Sequence, residues 1–256
     1  MKRWFWKIFI PVMLCLVIVL RVFVGEVCTV PSASMRPSII IGDRLWIDKT
    51  TYGARLPKRF ADIPLINVFT WIKPLRLADE KNDWGYRRAR GRRMPRLGDL
   101  AVFESPEFPH PLLVKRIVSR YRTGDTVVIN ADNYYELYHI VAYEGKESSM
   151  RGDTVFINGV PNSTCVVTQP YYNMLGDNRN NSHDSRMFGY VPYSSVVGRM
   201  SFIFFSINTD KMFIDMIRWD RFFKKVDVEK KPPPASPQRG GFYTPSPWER
   251  VGVRLF

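Results

Sequence analysis

The sequence predicts a mainly β protein, an antiparallel β domain carried on one amino-terminal membrane helix and followed by a short carboxy-terminal helix. Three observations lead there. The 256-residue chain opens with a long apolar run, Ile8–Leu20, that contains no charge. Beyond it come short stretches rich in β-branched and aromatic residues, separated by turn residues, which read as strands. These stretches neither alternate with helical patterns, as a parallel α/β sheet would require, nor recur at a solenoid period.

The apolar run is too short to cross a bilayer alone. Extended from Trp4 to Val24 it gives a helix of roughly 31 Å, enough to span if Lys7 and Arg21 snorkel to the two interfaces. Trp4 and Trp6 suit an interfacial aromatic belt, and Pro11 is tolerated in a membrane helix. Lys2, Arg3 and Lys7 precede the span, so the positive-inside rule expects residues 1–26 to form a cytoplasmic stub and anchor, with everything later outside. A cleaved secretory signal shares the charged start and apolar centre. Its cleavage sites are poor here: Phe23 lies two residues before Gly25, and Ser32-Ala33-Ser34 lies more than ten residues past the apolar run. An uncleaved anchor is expected.

Residues 27–228 read as the β domain. Strands are expected at Arg44–Asp48, Leu100–Glu104, Leu112–Val118, Thr126–Asn130 and Met200–Phe205, with a two-residue hairpin turn at Asn158-Gly159. Tyr86–Arg96 carries six arginines and reads as a solvated loop, with contact to anionic lipid as the alternative. Met212, Met216, Trp219 and Phe223 share one face of a helix expected over Asp210–Lys225, open either to packing on the β domain or to lying on the membrane. Residues 229–256 are proline-rich and aperiodic and read as a disordered tail.

Composition removes several classes. A chain that is 45% hydrophobic and 14% aromatic can build a core. Three cysteines form no disulfide framework and no metal-ligand pattern, so neither a metal nor a cofactor is expected. The formal charge of +14 calls for an anionic neighbour. Nucleic acid is disfavoured as that neighbour, because no binding motif is present and the basic residues concentrate in a loop and a tail beyond the anchor.

Three segments concentrate chemistry. In Val30–Ser38, two prolines fix the backbone around Ser32 and Ser34. In Leu112–Val118, strand alternation puts Lys115 on the apolar face with Leu113 and Ile117, where a lysine is costly unless neutral or paired. Gly176–Arg186 is a long polar run between two apolar strands. A serine is a weak nucleophile that needs an adjacent base, and a lysine acts as one near neutrality only if its pKa falls about three units from about 10.4.

These segments, in this order after an anchor, resemble the bacterial signal peptidase I family. Pro31–Pro37 matches its Pro-Ser-x-Ser-Met-x-Pro motif, Lys115-Arg116 its lysine motif, and Gly176–Arg186 its Gly-Asp-Asn-Arg…Asn-Ser-x-Asp-Ser-Arg motif, although Asn180 stands where the family usually has Asp. The resemblance implies that Ser34 is the nucleophile and Lys115 its general base. It implies that Ser32 and the Ser34 amide bind the oxyanion, that Ser182 bonds the lysine, and that Asp184 and Arg186 hold the loop. It further implies a β domain near the outer face of the inner membrane, removing signal peptides from exported precursors. Small residues before the cut would be read by shallow pockets shaped by Val30, Met35, Leu113 and Val114. The precursors and the bilayer are the expected partners, and a monomer is expected. Of the three histidines, only His183 adjoins an acid, and it occupies a variable position of that motif.

Overall fold

The computed structural model describes residues 2–30, 32–106, 112–208, 211 and 213–226. Helix α1 (Lys2–Val19) runs through a π turn at Leu20–Val24 directly into strand β1 (Gly25–Thr29). Then come β2 (Asp43–Asp48), α2 (Lys73–Glu80), β3 (Leu100–Glu104), β4 (Leu112–Tyr121) and β5 (Thr126–Val128). They are followed by α3 (Tyr134–Tyr143), β6 (Ser148–Arg151), β7 (Thr154–Ile157), β8 (Val160–Pro161), β9 (Thr164–Val166) and β10 (Tyr171–Leu175). The last are α4 (Ser185–Phe188), β11 (Val191–Pro192), β12 (Val196–Ser206) and β13 (Lys224–Lys225).

The main sheet runs β1-β2-β12-β3-β4-β10-β11, with β13 also on β12, and every pairing in it is antiparallel. Two small sheets, β5-β9 and β6-β7-β8, stand beside it. The fold is mainly β, as expected. In β2, Leu45 and Ile47 alternate inward while Arg44, Trp46 and Asp48 stay half-exposed, the pattern that makes a strand legible. Asn158 and Gly159 both have positive φ, 52° and 77°, as a type I′ hairpin turn demands.

One core cluster joins Cys28, Val30, Met35, Ile39, Leu45, Ile47, Val102 and Val114. Another, on Tyr52, Phe103, Ile117, Tyr172, Met174 and Phe188, covers a second face of β3 and β4. A third packs α3 through Leu137, Ile140 and Val141 against the small sheets. Cys28 and Cys165 lie in different clusters, and both are free thiols.

Two expectations change. No continuous helix occupies the described part of 210–225, where 3-10 turns at Phe213–Met216 and Trp219–Arg221 precede β13. Tertiary bonds outcompete the helix there. Arg221 grips the Asp43 carboxylate at 2.6 and 2.9 Å, Arg218 N donates to Ser206 O at 3.0 Å, and Phe222 and Phe223 pack on the rings of Phe202, Phe204 and Phe205. The arginine stretch is not simply solvated either. Arg88 donates to the carbonyls of Gly53, Tyr193 and Val196 and lies 4.4 Å above the Tyr193 ring, and Arg93 binds both oxygens of the buried Asp99. Arg87, Arg90, Arg92 and Arg96 remain exposed. The segment 229–256 lies outside the described residues.

Candidate active site

Ser34 sits in a tight turn after β1, with Arg36 N bonded to Ala33 O at 3.1 Å and Ile39 N to Met35 O at 3.0 Å. Met35 and Ile39 are pegged into the core, so the turn is fixed from below and Ser34 is only 3% exposed. Lys115 comes from β4, opposite Ala101 of β3, and is 2% exposed. Its Nζ lies 2.7 Å from Ser34 Oγ and 3.2 Å from Ser182 Oγ. Ser32 Oγ is 3.0 Å from Ser34 Oγ. Four residues from three segments far apart in sequence thus converge on one amine and one hydroxyl.

The polar run beginning at Gly176 leaves β10 and folds back over this pair. Asn178 donates from its backbone to Ser34 O at 3.0 Å and from its amide side chain to Ala33 O at 3.1 Å. Gly176 is pressed against the same groups: a β-carbon there would meet Ser182 Oγ and come within 2.6 Å of Ser34 O. Asp184 accepts from Gly176 N at 2.9 Å and from Arg186 at 2.8 and 3.0 Å, and Arg186 also reaches Arg179 O at 2.7 Å. Burial alone would raise the Asp184 carboxyl, but the bonds from Arg186, Gly176 N and Ser182 outweigh it and hold the acid below its ordinary range. Arg179, beside Asn180, is lowered by burial, and among the described residues nothing accepts from its guanidinium.

A second clamp, which the motifs alone do not disclose, joins all three segments. Arg116, the neighbour of Lys115, forms a two-point pair with Asp177 at 2.7 and 2.7 Å and donates to Gly98 O at 3.1 Å. Ser38 donates to the same Asp177 at 2.6 Å. Burial pushes Asp177 up, yet the Arg116 and Ser38 bonds prevail and keep its carboxyl low. A buried arginine on the strand face opposite the lysine was the available signal, since it calls for a planar acidic partner.

The other expected site residues divide. Val30, Met35 and Val114 share the cluster beneath Ser34, whereas Leu113 is half-buried against the Phe103–Ile117 cluster. Along Leu112–Lys115, β4 pairs with β3 on one edge, and on the other the β10 ladder begins at Arg116. His183 lies with its ring 5.6 Å from that of Phe188. Among the described residues no cluster of side chains could hold a metal ion.

Comparison with known proteins supplies the class. The family model described as signal peptidase, peptidase S26, matches residues 1–205. The chain is therefore a serine peptidase, a hydrolase of peptide bonds. Signal peptidase I of Pseudomonas fluorescens is 29% identical over 222 residues, covering 75% of this chain and 69% of the relative. That of Pseudomonas aeruginosa is 28% identical over 235 residues (80% and 73%), and that of Helicobacter pylori J99 25% over 279 residues (84% and 91%). The chain belongs to the signal peptidase family, whose members remove signal peptides.

Proposed function

We propose that this chain cleaves signal peptides from exported precursors by a Ser34–Lys115 mechanism while anchored in the membrane by α1. The observation that carries the reading is the 2.7 Å contact between Ser34 Oγ and a lysine amine that is 2% exposed. Burial disfavours the ammonium form, and the two acceptors named above, Ser34 Oγ and Ser182 Oγ, are neutral hydroxyls. A neutral amine takes the Ser34 proton as Oγ attacks the carbonyl carbon of the scissile bond. The carbonyl becomes a tetrahedral oxyanion, held by the Ser34 amide and the Ser32 hydroxyl, an interaction worth about 3–4 kcal/mol per donor. Collapse breaks the C–N bond, and Lys115 returns the proton to the leaving amine. Water then gives a proton to Lys115 and attacks the ester; as the C–Oγ bond breaks, Lys115 passes that proton to Ser34 Oγ, which releases the signal peptide and restores both residues. Ser182 keeps the amine aimed at Ser34.

The edge of β4 that precedes its β10 ladder, which begins at Arg116, supports an extended substrate adding itself as a strand. Val30, Met35 and Val114 beneath Ser34 support a shallow apolar pocket for small side chains, while Leu113 contributes through its backbone. Trp6–Val24 is long and apolar enough to cross a membrane, with only 6% of it buried against protein. Its basic start argues for an amino terminus in the cytoplasm and the β domain outside the inner membrane.

The test is cleavage of a signal-bearing precursor by purified full-length protein. Wild type should release the mature protein. Ser34→Ala should fold normally and release none; normal cleavage by that variant would remove Ser34 from the mechanism.

A further inference from the structure

Between β2 and β3 the chain makes an excursion that the catalytic geometry does not use. It consists of 3-10 turns at Phe60–Asp62 and Ile66–Trp71, followed by α2. The excursion is built inside out. In α2 the buried residue is Asp79, while Leu75 and Leu77 are exposed, and the turn Ile66–Trp71 buries none of its residues. Phe69 is 60% exposed and Trp71 85%.

The segment is nevertheless ordered from within. Asp79 accepts from Phe60 N at 2.9 Å and Ala61 N at 3.0 Å, Asp62 accepts from Lys58 N at 2.9 Å, and the Phe60 and Trp84 rings meet edge to face at 4.8 Å. Polar groups form its base and apolar groups its surface, an arrangement that water penalises and hydrocarbon rewards.

We propose that residues 63–77 are a second membrane contact, seated in the headgroup layer of an anionic bilayer beside the exit of α1. The proposal rests on the reading of α1 as the anchor, and two observations choose lipid over a protein partner. First, the patch is continuous with the end of that helix. Arg21 and Val22 line a cavity of about 700 Å³ together with Leu65, Asn67 and Val68. Second, the charge fits. No acid occurs between Asp62 and Asp79, while Lys73 and Arg76 lie among the exposed apolar residues, the make-up of an interfacial segment on anionic lipid. Leu112, the start of β4, lines the same cavity, so this contact holds the proposed substrate strand at the membrane surface, where a precursor's signal sequence emerges.

The experiment uses full-length protein in vesicles of phosphatidylcholine and phosphatidylglycerol carrying lipids brominated near the headgroup. The fluorescence lost between wild type and Trp71→Phe isolates Trp71, and that lost between wild type and Trp4→Phe with Trp6→Phe isolates the pair that reports the anchor. Bromolipid should quench the Trp71 contribution. Phe69→Asp with Trp71→Asp, both exposed and so harmless to folding, should lower cleavage of a vesicle-embedded precursor severalfold and leave cleavage of a short soluble peptide unchanged. An unquenched Trp71 beside quenched Trp4 and Trp6 overturns the second contact and leaves the anchor standing. If none of the three is quenched, the anchor itself is wrong, and the contact falls with it. Equal loss on both substrates would assign the patch a structural role instead.

Discussion

In the proposed mechanism Lys115 acts only when its amine is uncharged, and this separates it from every other basic residue near the site. Arginine in its place cannot deprotonate in a usable range. Lys115→Ala and Lys115→Arg should therefore both be inactive in precursor cleavage, while His183→Ala, which removes neither base nor nucleophile, should keep most activity. An active Lys115→Ala enzyme with a dead His183→Ala would reassign the base. In the wild type, the acid limb of the rate profile should fall well below lysine's free value of about 10.4. Gly176 matters at the same scale for a different reason. Gly176→Ala drives a methyl into Ser182 Oγ and Ser34 O, and overpacking of this kind costs about 1–3 kcal/mol. Activity should fall more than stability does, because one displaced atom, Ser182 Oγ, is bonded to the Lys115 amine. A Gly176→Ala enzyme with normal turnover would show that the contact yields without moving the site.

At the scale of elements, the site is a meeting of three segments rather than the product of one. The turn after β1 carries Ser34, β4 carries Lys115, and the polar run after β10 carries Ser182. Asp177 ties them together through Arg116 and Ser38. Arg116 is 1% exposed, so removing the Asp177 carboxylate takes a two-point acidic partner from a buried charge, at a cost of up to about 3–5 kcal/mol. Asp177→Ala should show that loss in denaturant unfolding, accompanied by weakened cleavage as the strand and the turn lose their common clamp. Unchanged stability would mean that the pair contributes little. The helix expected at 210–225 belongs to this scale as well. Its apolar periodicity is real, but Arg221 on Asp43 and the phenylalanine cluster fix a less regular path.

For the whole molecule, acid and topology give two checks. Asp99, Asp177 and Asp184 are each pushed up by burial and pulled down more strongly by hydrogen bonds and guanidinium partners, so each has a depressed folded pKa. A carboxyl of this kind stabilises the fold fully above its unfolded value of about 3.9, and that stability disappears as pH falls through the folded value. Stability should thus be level above about pH 5 and decline below about pH 4, and Asp177→Asn should shed part of that decline in a circular-dichroism acid titration. A wild-type curve indifferent to acid would contradict the assignment. Protease added outside intact spheroplasts should digest the β domain and spare a short protected fragment that includes α1. Protection of the whole chain until the membrane is breached would reverse the orientation.

How much of this was legible in the residues depends on how local each signal is. β-Branched and aromatic residues announced β2, the Asn158-Gly159 dipeptide announced its turn, and the uncharged run announced α1, because each is written within a few neighbouring residues. β10 is buried at every position and so shows no alternation. The helix α3 reads as aromatic and β-branched until the third cluster rewards its Leu137, Ile140 and Val141 face. At the site, the motifs marked Ser34, Lys115 and Ser182 individually, since unusual residue types in a constrained setting can be recognised without coordinates. The 2.7 Å approach of Ser34 to Lys115, the clamp of Asp177 on Arg116, the rigid seat of Gly176 and the outward-facing leucines of α2 were decided only by the tertiary structure. Each of these depends on chain segments tens of residues apart being packed together, and distance in space between such segments is set by the core they share, not by any pattern along the chain.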